Sequence, residues 1–248
     1  MKKHWISAAL LLALTVVLAG PASAVQLKYT GQAYLPTFGS YYVGAYSAQM
    51  NPTGESWAPN STNWSTQPTV AAICNDFSGR IATGDVWDVT AHEITLADLG
   101  GSPEAKFWGQ SVTDTQADRG DNEINLNDYL AAAWLSDQLL TYHYNWSPTT
   151  AVVERTRLQY AIWTVFNSAA TTIGSTADKA AVIAYRQAAF DAVAGGYTGS
   201  DWRVFTEVSA TGKQEILIRV PEAASFATLG LNFGALVLLG YAFRRRMK

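Results

Sequence analysis

Cysteine is almost missing. Cys74 is the single one in 248 residues, so no disulfide can form within the chain. Histidine is scarce as well, with three residues: His4 lies in the N-terminal segment, and His92 and His143 stand alone, which leaves no ligand set for a metal held by imidazole and thiolate. His92-Glu93 is followed by Leu96 where a zinc-protease helix needs its second histidine. Neither a G-x-S-x-G elbow nor a phosphate-binding P-loop occurs. The acidic stretch at residues 114–128 lacks the D-x-D-x-D-G order of a calcium loop and reads as a turn that caps the next helix. These absences assign no catalytic residue, metal or cofactor, and the chain reads as a non-enzyme. Charged residues make up only 15%, with a net charge of -3, and several of the basic ones sit at the two ends. The remainder is more acidic than the total, which gives no footing for nucleic acid.

The ends carry long apolar runs. Lys2, Lys3 and His4 precede an apolar segment from Ile6 to Ala19, and Ala22-Ser23-Ala24 supplies the small-residue spacing that signal peptidase cuts. Residues 1–24 therefore read as a signal peptide, too short for a spanning helix of roughly 20 residues. At the other end, residues 226–243 form an uncharged stretch long enough to cross a bilayer, followed by Arg244, Arg245, Arg246 and Lys248. Flanking positive charge stays in the cytoplasm, so both ends direct the intervening residues 25–219 outward. The order Pro221-Glu222, apolar helix, arginine cluster resembles the PEP-CTERM sorting signal. Ala223 stands where that motif has its second proline. The resemblance covers residues 220–248 and implies an exosortase-type membrane protease as partner and delivery to the cell surface or an exopolysaccharide matrix.

Residues 25–219 are enough for one well-buried domain. The region from Val25 to about Thr95 holds β-prone runs, SYYVGAYSA, TVAAICNDF and GDVWDVTAHEI, separated by polar Asn, Pro and Gly segments; residues 51–69 have too many breakers for any regular element. Leu126, Tyr129, Leu130, Ala133 and Trp134 fall at helical spacing, a second helix is expected over 151–167, and a third after Ser175 or Thr176 until Gly195-Gly196. Alternation then returns in Trp202, Val204, Thr206 and Val208 and again in Ile216, Ile218 and Val220. The order predicts an α+β domain: an antiparallel sheet or sandwich with a helical insertion of about three helices. Nine tryptophans and twelve tyrosines serve equally as core or as a surface that stacks on sugars.

One pair draws the chemistry. Cys74 lies in AAICNDF, a probable strand, and Gln159 shares an apolar helical stripe with Val152, Ile162, Trp163 and Phe166, so its amide is expected to face the core and to need partners there. A buried free thiol beside a hydrogen-bonded glutamine would account for these residues. The two segments also resemble the thioester domains of Gram-positive surface adhesins, through Gln159, Ala161, Ile162 and Trp163 of a T-Q-x-A-[IV]-W motif in which Leu158 replaces the threonine. That resemblance implies a Cys74–Gln159 thioester, with Tyr160, Trp163 and Trp134 as its shield against water. It also implies a surface or matrix polymer bearing amine or hydroxyl groups as partner. The expectation is thus an exported, covalent adhesin, with a noncovalent carbohydrate-binding module of an exopolysaccharide matrix as the alternative.

Overall fold

The computed structural model describes residues 25–31, 37–38, 41–51, 69–101, 104–111, 123–144, 150–167, 170, 175–208 and 212–220. The expected signal peptide at 1–24, the sorting residues Pro221, Glu222 and Ala223, the spanning segment 226–243 and Arg244, Arg245 and Arg246 lie outside the described residues. Among the described residues no helix is long and apolar enough to cross a membrane.

Among the described residues there are eight strands: β1 (Val25–Gly31), β2 (Thr37–Phe38), β3 (Tyr41–Tyr42), β4 (Tyr46–Asn51), β5 (Thr69–Cys74), β6 (Val86–Glu93), β7 (Trp202–Glu207) and β8 (Ile216–Arg219). Four helices accompany them: α1 (Leu96–Leu99), α2 (Leu126–Tyr144), α3 (Thr150–Phe166) and α4 (Thr176–Ala194). The strands correct the expected sheet or sandwich. Six of them close into one antiparallel barrel in the order β1-β4-β5-β8-β7-β6, with β6 returning to β1, while β2 and β3 form a separate two-stranded sheet. The hairpin β7–β8 enters between β5 and β6, so that every barrel strand has a neighbour on both sides. Closure satisfies the edge N–H and C=O groups that an open sheet would leave to solvent. The helices number four rather than about three, because Thr95 caps the extra short turn α1 by accepting from the Asp98 N–H at 3.3 Å.

Burial explains the pairing. Leu27 and Tyr29 of β1 are buried while Thr30 of the same strand is exposed, the period of a strand with one covered face. In β5 burial deepens from exposed Thr69 to fully buried Ile73 and Cys74. Ile216, Leu217 and Ile218 of β8 are buried consecutively, so both faces of that strand are covered at this end of the barrel. All three long helices lie between β6 and β7 in the chain and pack against one another. Within α3 every residue from Leu158 to Phe166 is buried, the signature of a helix enclosed on all sides. The neighbouring α4 starts from a capping box in which Ser175 accepts from the Asp178 N–H and the Asp178 carboxylate accepts from Ser175. It ends at Gly195.

Candidate functional site

Strand β5 delivers Cys74 to the buried end of the barrel, held in register opposite Ile216 of β8. Helix α3 delivers Gln159 to the same point, and both side chains are wholly buried. The Gln159 Nε2 donates to the Cys74 carbonyl oxygen at 2.7 Å. Its Oε1 accepts from the Gly44 N–H at 3.4 Å. The amide is therefore gripped at both ends, by residues 85 and 115 positions away in sequence, and its plane is fixed. The Cys74 thiol donates to the Asp76 carbonyl at 2.9 Å. Burial, and then the charge on Asp76, pushes the thiol well above its ordinary value; the Trp163 side chain, the bond to Asp76 O and the Lys106 ammonium draw it part of the way back. The sulfur is thus a neutral, water-excluded thiol, closed to a disulfide with another chain while the fold is intact.

Around the pair lies a polar cluster that composition did not announce. The Asp76 side chain, fully buried, accepts from the Ser78 N–H and hydroxyl at 2.9 and 2.8 Å and from the Gly79 N–H at 2.9 Å, and it pairs with the Lys106 ammonium. A Cβ on Gly79 would stand 2.6 Å from Asp76 Oδ2 and 2.8 Å from the Gln214 Cα, so this turn closes only around a glycine. Beside it Glu215, also fully buried, accepts from Asn75 Nδ2 at 2.7 Å, the Lys106 N–H at 2.6 Å, the Tyr129 hydroxyl at 3.2 Å and the Thr206 hydroxyl at 2.6 Å. Four donors fill the acceptor capacity of one carboxylate. Burial raises the Glu215 carboxyl above its ordinary value, and these four bonds limit the rise. Together Asn75, Asp76, Lys106, Tyr129 and Glu215 lock the backbone that follows Cys74.

The expected shield is placed in part. Tyr160 and Trp163 are buried, their rings 5.1 Å apart and edge to face, and Phe77 stands 5.3 Å from Trp163. Trp134 is half-buried on α2 and packs on the general core; among the described residues no hydrogen bond or ring contact joins it to Cys74 or Gln159. Phe77, half-buried, is a further ring in contact with Trp163, and its position in C-N-D-F, two residues after Asn75, is the signal that could have found it. Gly44, Lys106 and Glu215 were also missed. Gly44 sits inside the apparently continuous run SYYVGAYSA, which its φ of +117° breaks between β3 and β4. Glu215 is a lone charge at the head of an apolar strand, which sequence alone reads as a solvated strand end.

No family profile, no curated protein and no solved structure matches this chain. The argument for function therefore stands on the site itself.

Proposed function

We propose that the chain is an exported surface protein that attaches covalently to a partner polymer through a thioester between Cys74 and Gln159. One observation carries the reading: the Gln159 amide, wholly buried, lies 2.7 Å from the carbonyl of Cys74 itself. The residue whose thiol would attack is thus the residue to whose backbone the amide is hydrogen-bonded. In the reaction the Sγ–Cδ bond forms, the Cδ–Nε2 bond breaks, and the thiol proton leaves with the nitrogen as ammonia. Tyr160, Trp163 and Phe77 keep water from the resulting acyl group, so that it survives until an amine or hydroxyl of a surface or matrix polymer is presented. That attack leaves an amide or ester on Gln159 and returns the thiol. The bond forms once per chain, which makes the protein a consumed reagent and not an enzyme.

Export fits the element boundaries. All six barrel strands lie within residues 25–219, and β8 ends at Arg219, before Pro221. Removal of both terminal segments would leave every barrel strand whole. The sugar-binding alternative draws less support, because no tryptophan among the described residues is exposed: Trp87, Trp163 and Trp202 are buried, and Trp108 and Trp134 half-buried.

The test is intact mass before and after methylamine. The exported wild-type chain is expected to weigh one ammonia less than its sequence requires, to gain one methylamine, and to expose a titratable thiol as it does so. Cys74→Ala should show none of the three. A wild-type chain of full calculated mass, with its thiol titratable on unfolding before any amine is added, would overturn the proposal.

A further inference from the structure

We propose that the backbone N–H of Gly44 is the oxyanion donor for acyl transfer at Gln159, an inference that rests on the thioester reading. When Sγ attacks Cδ, the Gln159 Oε1 takes up the negative charge of a tetrahedral intermediate. This happens in a site where Gln159 and Cys74 are wholly buried, so no solvent is at hand to stabilise that charge. Among the described residues the Gly44 N–H is the one donor to this oxygen.

Its distance suits the role. At 3.4 Å from the resting carbonyl oxygen, the donor is at the long end of hydrogen bonding and contributes little to the ground state. As the carbonyl carbon becomes tetrahedral, the C–O bond lengthens and the charge on oxygen grows. A donor with room to close is then bound more tightly in the transition state than before it, which is the condition for acceleration. The opposite end of the amide is already held at 2.7 Å by Cys74 O, which keeps Nε2 in place as the leaving group. The second step uses the same geometry: an incoming amine nitrogen bonds to Cδ, the Cδ–Sγ bond breaks, the amine proton passes to Sγ, and the transient charge again sits on Oε1.

The residue type follows from the backbone. Gly44 has φ +117° and is buried between β3 and β4. L-residues with a Cβ are excluded from that conformation, and it is what turns this N–H out of the strand run and toward α3. The glycine breaks a strand in order to point one donor at one atom.

The experiment replaces the Gly44 N–H by an ester oxygen, introducing glycolic acid at position 44 by in vitro translation of the full chain. This removes the donor and adds no Cβ. Ammonia loss on folding is followed by time-resolved mass, and methylamine uptake by the closed thioester is measured separately. Both rates are expected to fall by about 10²- to 10³-fold, the usual effect of losing one oxyanion donor, with an unchanged circular dichroism spectrum. A folded ester-linked chain that closes and reacts at wild-type rates would overturn the role of Gly44 while leaving the thioester reading intact. A wild-type chain that never loses ammonia would overturn both. Should the ester-linked chain not fold, the infrared band of a ¹³C-labelled Gln159 carbonyl in the wild-type thioester decides. It is expected at lower frequency than in a model thioester dissolved in hydrocarbon, where no donor is present, and a band at the hydrocarbon frequency overturns the proposal.

Discussion

Gln159 is a polar side chain in the most enclosed helix of the protein, and its cost is offset by two bonds: Nε2 to Cys74 O and Oε1 from Gly44 N. Replacing it with leucine preserves volume but orphans a buried carbonyl and a buried N–H, each worth roughly 1 to 3 kcal/mol. In the Cys74→Ala background, where the amide stays intact, Gln159→Leu is therefore expected to lower the urea midpoint measurably. Equal midpoints for the double variant and Cys74→Ala would mean that the amide does not serve as a structural bridge between α3 and the barrel. Glu215 makes the contrasting case: four donors converge on it, and its charge is held in place by saturation of its oxygens, with the Lys106 ammonium engaged by Asp76.

At the scale of the element, α3 joins the helices to the barrel through aromatic contacts. Trp163 meets Phe77 at a tilt and Tyr160 edge to face, while Phe166 meets Phe107 at 5.2 Å and Tyr129 at 5.0 Å. Trp163→Ala opens a cavity between β5's following turn and α3, and should cost about 3 to 5 kcal/mol. Thermal unfolding checks this, and a melting temperature within a degree or two of wild type would refute the packing. The same variant has a chemical reading: with one wall of the shield gone, a thioester that still forms should hydrolyse faster, seen as a thiol that appears in water alone.

For the whole molecule, pH enters through groups that burial keeps protonated. Burial comes first among the causes that raise Cys74 above its ordinary 9.0 and Tyr46 and Tyr129 above 10.0. The folded chain then holds protons that the unfolded chain releases. Stability from these groups is complete below about pH 9 and falls as pH rises through the ordinary thiol and phenol values, by about 1.4 kcal/mol per pH unit for each proton. Urea titrations at pH 8 to 11 should show this decline. A closed thioester removes the Cys74 share and leaves the tyrosines', whereas a flat profile would contradict the burial of all three groups. Anchoring is also a property of the whole chain. Because β8 is complete at Arg219, truncation from Pro221 onward should release a folded domain from the cell envelope. Retention of the truncated chain on the envelope would assign the anchor elsewhere.

What the sequence determined by itself is what local periodicity carries. The 3.6-residue stripe from Leu126, the cap of α4 at Ser175 or Thr176 and the inward face of Gln159 were legible because each depends on neighbours within one or two turns of helix. The alternating strand runs were legible for the same reason, with a period of two. Only the tertiary structure decided that the strands close into a barrel, since that rests on β8 seating beside β5 and β7 beside β6, pairings more than 100 residues apart in the chain. It also decided which polar residues are buried. Asp76 and Glu215 look like surface residues until donors converge on them, and Gln214 until the distant Gly79 carbonyl accepts from its amide; a charge can leave water only where such partners are already in position. The pairing of Cys74 with Gln159 belongs to both levels: each residue could be singled out from its own segment, but their contact is made by the fold, which sets the end of one strand against the middle of one helix.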